Sequence, residues 1–276
     1  MPFKRFLSFA LGPLPLALLA CAGIVTSQAG CDVNVHDGKA SLHLFSAEAK
    51  DEWTHRYPLA AGGRVEIVNI NGPISVAAGP AGSVEVHATI SAKALTDAGA
   101  KEILSKGSIQ ETKEPAHVRV ETMSPRAVHG SYEVRYEVRV PTDAQTEISI
   151  TNGPLKADGL TGRFKATTVN GKADLTNMSG AMDAVVANGS LTAEMARVTA
   201  DVRLELHNGQ LSLDVPAGSK AQLSARVVNG ALEVSGLPIE EPTGRRIRTL
   251  EATLNGGGPS IDLRVTNGRL RIAGNR

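Results

Sequence analysis

The sequence predicts an all-β protein, a single-stranded β-helix or β-solenoid of about 18–21-residue coils with one short helical insertion. Three observations carry this. The dipeptide Asn-Gly recurs along the chain, and most of its copies are flanked by apolar residues alternating in one fixed registration. Aromatic residues make up 3%, and none follows Phe164. A narrow interior between stacked coils takes Val, Leu, Ile and Ala more readily than rings, and a fixed-period repeat is the mark of a stacked architecture.

The pairs are Asn71-Gly72, Asn152-Gly153, Asn170-Gly171, Asn188-Gly189, Asn208-Gly209, Asn229-Gly230, Asn255-Gly256 and Asn267-Gly268; from Asn152 onward they are spaced 18, 18, 20, 21, 26 and 12 residues apart. Three and five residues after each Asn stand pairs such as Ile74/Val76, Leu191/Ala193, Leu211/Leu213 and Leu270/Ile272, with Ser75, Thr192, Ser212 and Arg271 between them. Alternation with period two buries one face of a strand and wets the other. Two architectures fit. In an antiparallel meander each Asn-Gly is a type I′ hairpin turn. In a solenoid the corners stack about 4.8 Å apart, asparagine amides bond along a ladder, and Gly supplies a positive φ. The solenoid also accounts for the missing rings. Asn255 departs from the pattern, since Gly256-Gly257-Gly258-Pro259 displaces its strand to Ile261 and Leu263, and a bulge or irregular rung is expected there.

Taken in order, residues 1–30 read as a signal peptide, with Lys4 and Arg5 ahead of an apolar run to Val25. A transmembrane anchor is the alternative, but Pro13 and Pro15 interrupt the run and no basic cluster follows it. The two cysteines, Cys21 and Cys31, both fall in or beside this segment, so the body has none for a disulfide. Gln28-Ala29-Gly30-Cys31 resembles the lipobox of bacterial lipoproteins, with Leu18-Leu19-Ala20-Cys21 as the alternative site and an ordinary secreted protein as the plainer reading. Acyl chains on Cys31, at about 0.8 kcal/mol per buried CH₂, would make the membrane a partner. Residues 31–60 read as a polar tether whose Trp53 and Tyr57 fold onto the first rung, and residues 61–276 as the solenoid. Within it, 91–105 carries apolar residues near helical spacing and is the expected helix, while 117–123 and 132–140 return to alternation before Pro141.

The run Gly63-Arg64-Val65-Glu66-Ile67-Val68-Asn69-Ile70-Asn71-Gly72-Pro73-Ile74-Ser75-Val76, and Tyr136-Glu137-Val138-Arg139-Val140-Pro141 followed by Asn-Gly repeats, resemble the bacterial putative-adhesin family of unknown function over about residues 60–274. The resemblance implies a single-stranded β-helix, export or membrane tethering, and no catalytic residues.

Little points to chemistry. A formal net charge of +1 argues against nucleic acid as partner. The seven histidines form no metal-ligand spacing, and no phosphate-binding loop or nucleophile elbow occurs, so neither cofactor nor metal is expected. Asp174 and Glu233, on outward positions three coils apart, would stand roughly 14 Å from one another, too far for a glycosidase pair. The C-terminal stretch is basic. Arg245, Arg246 and Arg248, with Arg264, Arg269, Arg271 and Arg276, face only Glu251 and Asp262 in the sequence, and either cap the last coil or form a patch for anionic polymer. The expected function is a non-enzymatic, adhesin-like structural or interaction protein of the cell envelope, lipid-anchored and meeting an envelope protein or polymer. An envelope-stress accessory contacting a membrane signalling partner is the alternative, and a carbohydrate-active β-helix enzyme the third reading. The oligomeric state stays open.

Overall fold

The structure is a computed structural model describing residues 33–36, 39–42, 47–126, 129–239 and 248–275; the leader, both cysteines, Arg245, Arg246 and Arg276 lie outside the described residues. Strands β1 (Val33–His36) and β2 (Lys39–Leu42) form a separate two-stranded antiparallel sheet. Next comes β3 (Ala47–Pro58), which corrects the expected tether over 31–60. It is paired antiparallel along its whole length with Ser83–Ala94, and Ala47 and Tyr57 are buried. Its polar residues misled because β3 is an end strand with one wet face.

The first coil consists of β4 (Arg64–Asn71) and β5 (Ile74–Gly79), two arms meeting at Asn71-Gly72. The chain then leaves the stack. Strand β6 (Ser83–Ala94) turns back against β3, helix α1 (Asp97–Lys106) covers the end, and β7 (Ser108–Glu114) and β8 (His117–Met123) form a hairpin. Strand β9 (Ser131–Pro141) returns beside β5. Coiling resumes with β10 (Gln145–Asn152) and β11 (Leu155–Asp158), then with β12 (Phe164–Met178), β13 (Met182–Met195), β14 (Val202–Pro216) and β15 (Ala221–Ser235), each of which runs through its corner. Strands β16 (Thr249–Leu254) and β17 (Ser260–Asn275) complete the chain.

Fifteen strands form one sheet folded at the Asn-Gly corners into two arms. The arm before the corner runs β7-β8-β4-β10-β12-β13-β14-β17-β15-β16, and the arm after it runs β3-β6-β9-β5-β11-β12-β13-β14-β17-β15. Pairing is parallel through the coils and antiparallel at the ends, a β-solenoid-like stack. Its interior is aliphatic. Leu191, Leu204, Leu211, Leu263 and Ile272 are among the residues sealed from solvent, each worth about 1.5–3 kcal/mol of burial. Of the aromatics among the described residues, Trp53, Tyr57, Tyr132 and Tyr136 lie on β3 and β9 near the N-terminal end of the stack, and Phe164 is sealed inside β12. The Tyr57 hydroxyl donates to Oε2 of Glu111 at 2.5 Å, and burial first, then this carboxylate, pushes the phenol upward.

Three further expectations are corrected. The helix begins at Asp97, with Thr96 Oγ1 accepting from the Gly99 amide at 3.1 Å, and Ser91–Ala94 belongs to β6. The inward positions Ala88, Ala92 and Ala94 are too small to announce a strand, although all are buried. Asn255 makes no rung: at φ 47°, followed by Gly256 and Gly257 at 88° and 85°, it opens the turn from β16 into β17. Lastly, the coils do not stack in chain order. β17 lies between β14 and β15, hydrogen-bonded in parallel to both. Its Ile261, Leu263, Val265, Leu270 and Ile272 are at most 1% exposed, whereas Leu232 of β15 is at 8% and Val234 is only partly covered. The strand with the bulkier inward side chains, Leu263 and Ile272 against Ala225 and Val234 of β15, takes the place enclosed on both sides.

Candidate interaction surface

Seven corner asparagines stand in one file. Asn152 Nδ2 donates to Asn71 Oδ1, Asn170 to Asn152, Asn188 to Asn170, Asn208 to Asn188, Asn267 to Asn208 and Asn229 to Asn267, all at 2.9–3.1 Å. Each following glycine has φ between 113° and 157° and sits so near the coil beneath that a Cβ on Gly189 would lie 1.8 Å from the Gly171 carbonyl oxygen. No L side chain fits there. The ridge fixes the registration of every coil, and so the neighbours of every outward side chain.

The basic C-terminal stretch is better compensated than its sequence suggests, because inserting β17 brings it carboxylates from both sides. Arg269 Nε stands 3.5 Å from Glu233, Arg264 Nη2 lies 3.0 Å from Asp262, and Glu205 of β14 is the cross-strand neighbour of Arg264. Arg248 is exposed just before β16, and its carbonyl accepts from the Val227 amide at 2.7 Å. The same insertion separates Asp174 and Glu233 by four strand spacings, about 19 Å rather than 14 Å. His207 is half exposed, with Nε2 3.9 Å from Glu205.

The feature that sequence reasoning missed lies on the other arm. Hollows of ≈ 230, ≈ 390 and ≈ 520 Å³ follow one another along the stack, the first two sharing Arg163 and the last two Ser260 and Asp262. Together they make a trough crossing β4, β10, β12, β13, β14, β17, β15 and β16, about 34 Å at roughly 4.8 Å per strand. Two outward columns line it. One, five residues before each corner, reads Glu66, Glu147, Lys165, Asp183, Arg203, Asp262 and Ser224; the other, seven before, reads Arg64, Gln145, Arg163, Ala181, Asp201, Ser260 and Gln222. Aligning the repeats on their asparagines would have exposed both columns.

The two ends of the trough differ. At its head Lys165 Nζ lies 2.9 Å from Glu147, Arg64 also touches that carboxylate, and Arg163 has no carboxylate within 4.0 Å among the described residues. Hydrogen bonding from Lys165, then from Arg64, holds the Glu147 carboxyl below the usual carboxylate range. Beside it Arg119 contacts Glu66, and His117 Nε2 approaches the same carboxylate at 3.6 Å. Farther along, carboxylates predominate. Asp201 Oδ1 accepts from the Ser260 amide at 2.8 Å, which holds the Asp201 carboxyl low, and Asp183 is its neighbour across the hollow. At the far end Gln222 and Thr253 stand with the carboxylates of Glu251 and Asp262.

Residues 137–273 match the model of the Toastrack family DUF4097, whose fold is β-solenoid-like. Among curated proteins nothing matches the chain. Among solved structures, a putative cell adhesion protein from Clostridium sporogenes is similar at 15% identity and TM-score 0.47, over 82% of this chain and 100% of that one. A putative adhesin from Bacteroides fragilis is similar at 11% identity and TM-score 0.27, over 82% and 98%. Another, from Parabacteroides merdae, is at 10% and 0.24, over 80% and 95%.

Proposed function

We propose that this chain is an exported protein of the bacterial envelope, lipid-anchored through Cys31, whose solenoid serves as a non-enzymatic, adhesin-like interaction scaffold. The observation that carries the reading is the stack itself. Registered coils repeat the same outward positions at one-strand intervals, which gives a long, rigid, polar surface of the kind solenoids use for binding. The leader and the small residues before Cys31 support export and acylation. β3 places the start of the folded body at one end of the stack, and the last coil lies about 43 Å away across ten strands of the second arm. A chain tethered at its N-terminus thus carries its surface outward from the bilayer. Metabolic labelling with a fatty-acid analogue tests the anchor. Label is expected on the wild type and lost in Cys31→Ser; label that persists in Cys31→Ser and vanishes in Cys21→Ser would move the site. Retention of the purified protein on isolated envelopes tests the scaffold role, which failure to bind them would refute.

A further inference from the structure

We propose that the trough along the first arm binds a linear glycan of sparse negative charge, its acidic group seated at the head among Arg64, Arg163 and Lys165. This rests on the scaffold reading and names the class of ligand. Three features of the trough carry it.

First, the head gathers three cations, Arg64, Arg163 and Lys165, beside two carboxylates, Glu147 and Glu66. Glu66 stands 3.7 Å from Arg64 and also pairs with Arg119, and Arg163 has no acidic partner among the described residues. A guanidinium left open beside two further cations is a ready site for a carboxylate or phosphate, held by charge-assisted hydrogen bonds. Second, the hollow does not close around one anion. It continues for about 34 Å along the stack axis, so an extended ligand uses it and an isolated headgroup does not. Third, the continuation is net acidic, with Asp183, Asp201, Asp262 and Glu251 against Arg203, and is otherwise polar and neutral. Carboxylates repel a polyanion but accept hydrogen bonds from hydroxyl groups, and a chain of mostly neutral, hydroxyl-bearing units satisfies both ends at once. The lining positions recur at one-strand intervals while the residues that fill them change, so a linear ligand meets polar partners at a regular spacing along its length.

Detergent-solubilised full-length protein should be titrated calorimetrically with hyaluronan and oligogalacturonate oligosaccharides. Uncharged cello-oligosaccharide, inorganic phosphate and short-chain phosphatidylglycerol serve as comparisons. At least one acidic oligosaccharide is expected to bind more tightly than all three comparisons. Arg163→Ser and Lys165→Ser, both on exposed side chains, should each weaken it about tenfold or more. Asp183→Asn should weaken the oligosaccharide without changing phosphate binding, and Arg271→Ser on the opposite arm should change neither. The proposal fails if neither acidic oligosaccharide binds, if phosphate or phosphatidylglycerol binds as tightly as the sugars, or if the Arg163 and Lys165 variants bind normally. None of these results bears on fatty-acid labelling or envelope retention, so the two readings fail separately.

Discussion

Replacing Gly189 by Ala probes the ridge most directly. The residue sits at φ 139°, and an added Cβ would stand 1.8 Å from the Gly171 carbonyl oxygen, where ordinary contact begins at 3.4 Å. The backbone conformation alone costs an L side chain about 1–3 kcal/mol. Relieving the overlap parts the two coils by about 1.6 Å, which stretches bonds of about 2.9 Å beyond the length at which they count as hydrogen bonds. Two or three such bonds, each worth about 1 kcal/mol net, bring the total to about 4 kcal/mol. For a body of this size that lowers Tm by roughly 8–16 °C. Two other glycines separate the contributions. Gly82 has φ 76° but open space around its Cβ direction, so Gly82→Ala reports backbone strain alone. Gly218 has neither strain nor a neighbour within 4 Å, and Gly218→Ala should be neutral or slightly stabilising. Thermal melts followed by far-ultraviolet circular dichroism give the ranking. If Gly189→Ala melts together with Gly82→Ala, the coils are not held at the spacing the ridge requires, and the reasoning is wrong.

Leu211 is sealed between coils whereas Ser212 faces outward beside Arg271, so Leu211→Asp should abolish protease-resistant protein and Ser212→Asp should leave stability within about 0.5 kcal/mol; equal tolerance would overturn the in-and-out assignment. The Glu147 carboxyl is held low by Lys165 and Arg64, and that of Glu111 by the hydrogen bonds from Tyr57 and Lys113. Because the folded values lie below the unfolded ones, their stabilisation is complete above the ordinary carboxylate range and is lost as pH falls below about 4.3. Tm measured against pH should therefore drop on acidification, and less steeply in Glu147→Gln.

Much of this architecture could be read from local pattern. The corner dipeptide, the alternation around Leu211 and Leu213, and the lack of rings after Phe164 are each properties of one coil, so each is visible in a single repeat. What stayed hidden depends on which strands become neighbours. Nothing local says that Asn267 stands between Asn208 and Asn229, and hence that Glu205 and Glu233 flank the arginines of β17. Strand β6 was obscured for another reason. Beyond Val84, Val86 and Ile90 its buried positions are the alanines Ala88, Ala92 and Ala94, which carry little hydrophobic contrast, and pairing with β3 and β9 reveals them as inward. The trough combines both difficulties: its charges lie on the wet face, where alternation gives no information, and its continuity exists only across strands.

The placement of β17 also fixes when the body can be finished. In most stacked-repeat proteins a shortened chain is a shorter stack, complete as far as it goes. Here the sixteen residues of β17 form an inner course, and deleting them would strand β15 and β16 apart from β14 rather than trim an end. The sheet therefore cannot close between β14 and β15 until β17 is in place, however many of the earlier coils have already stacked.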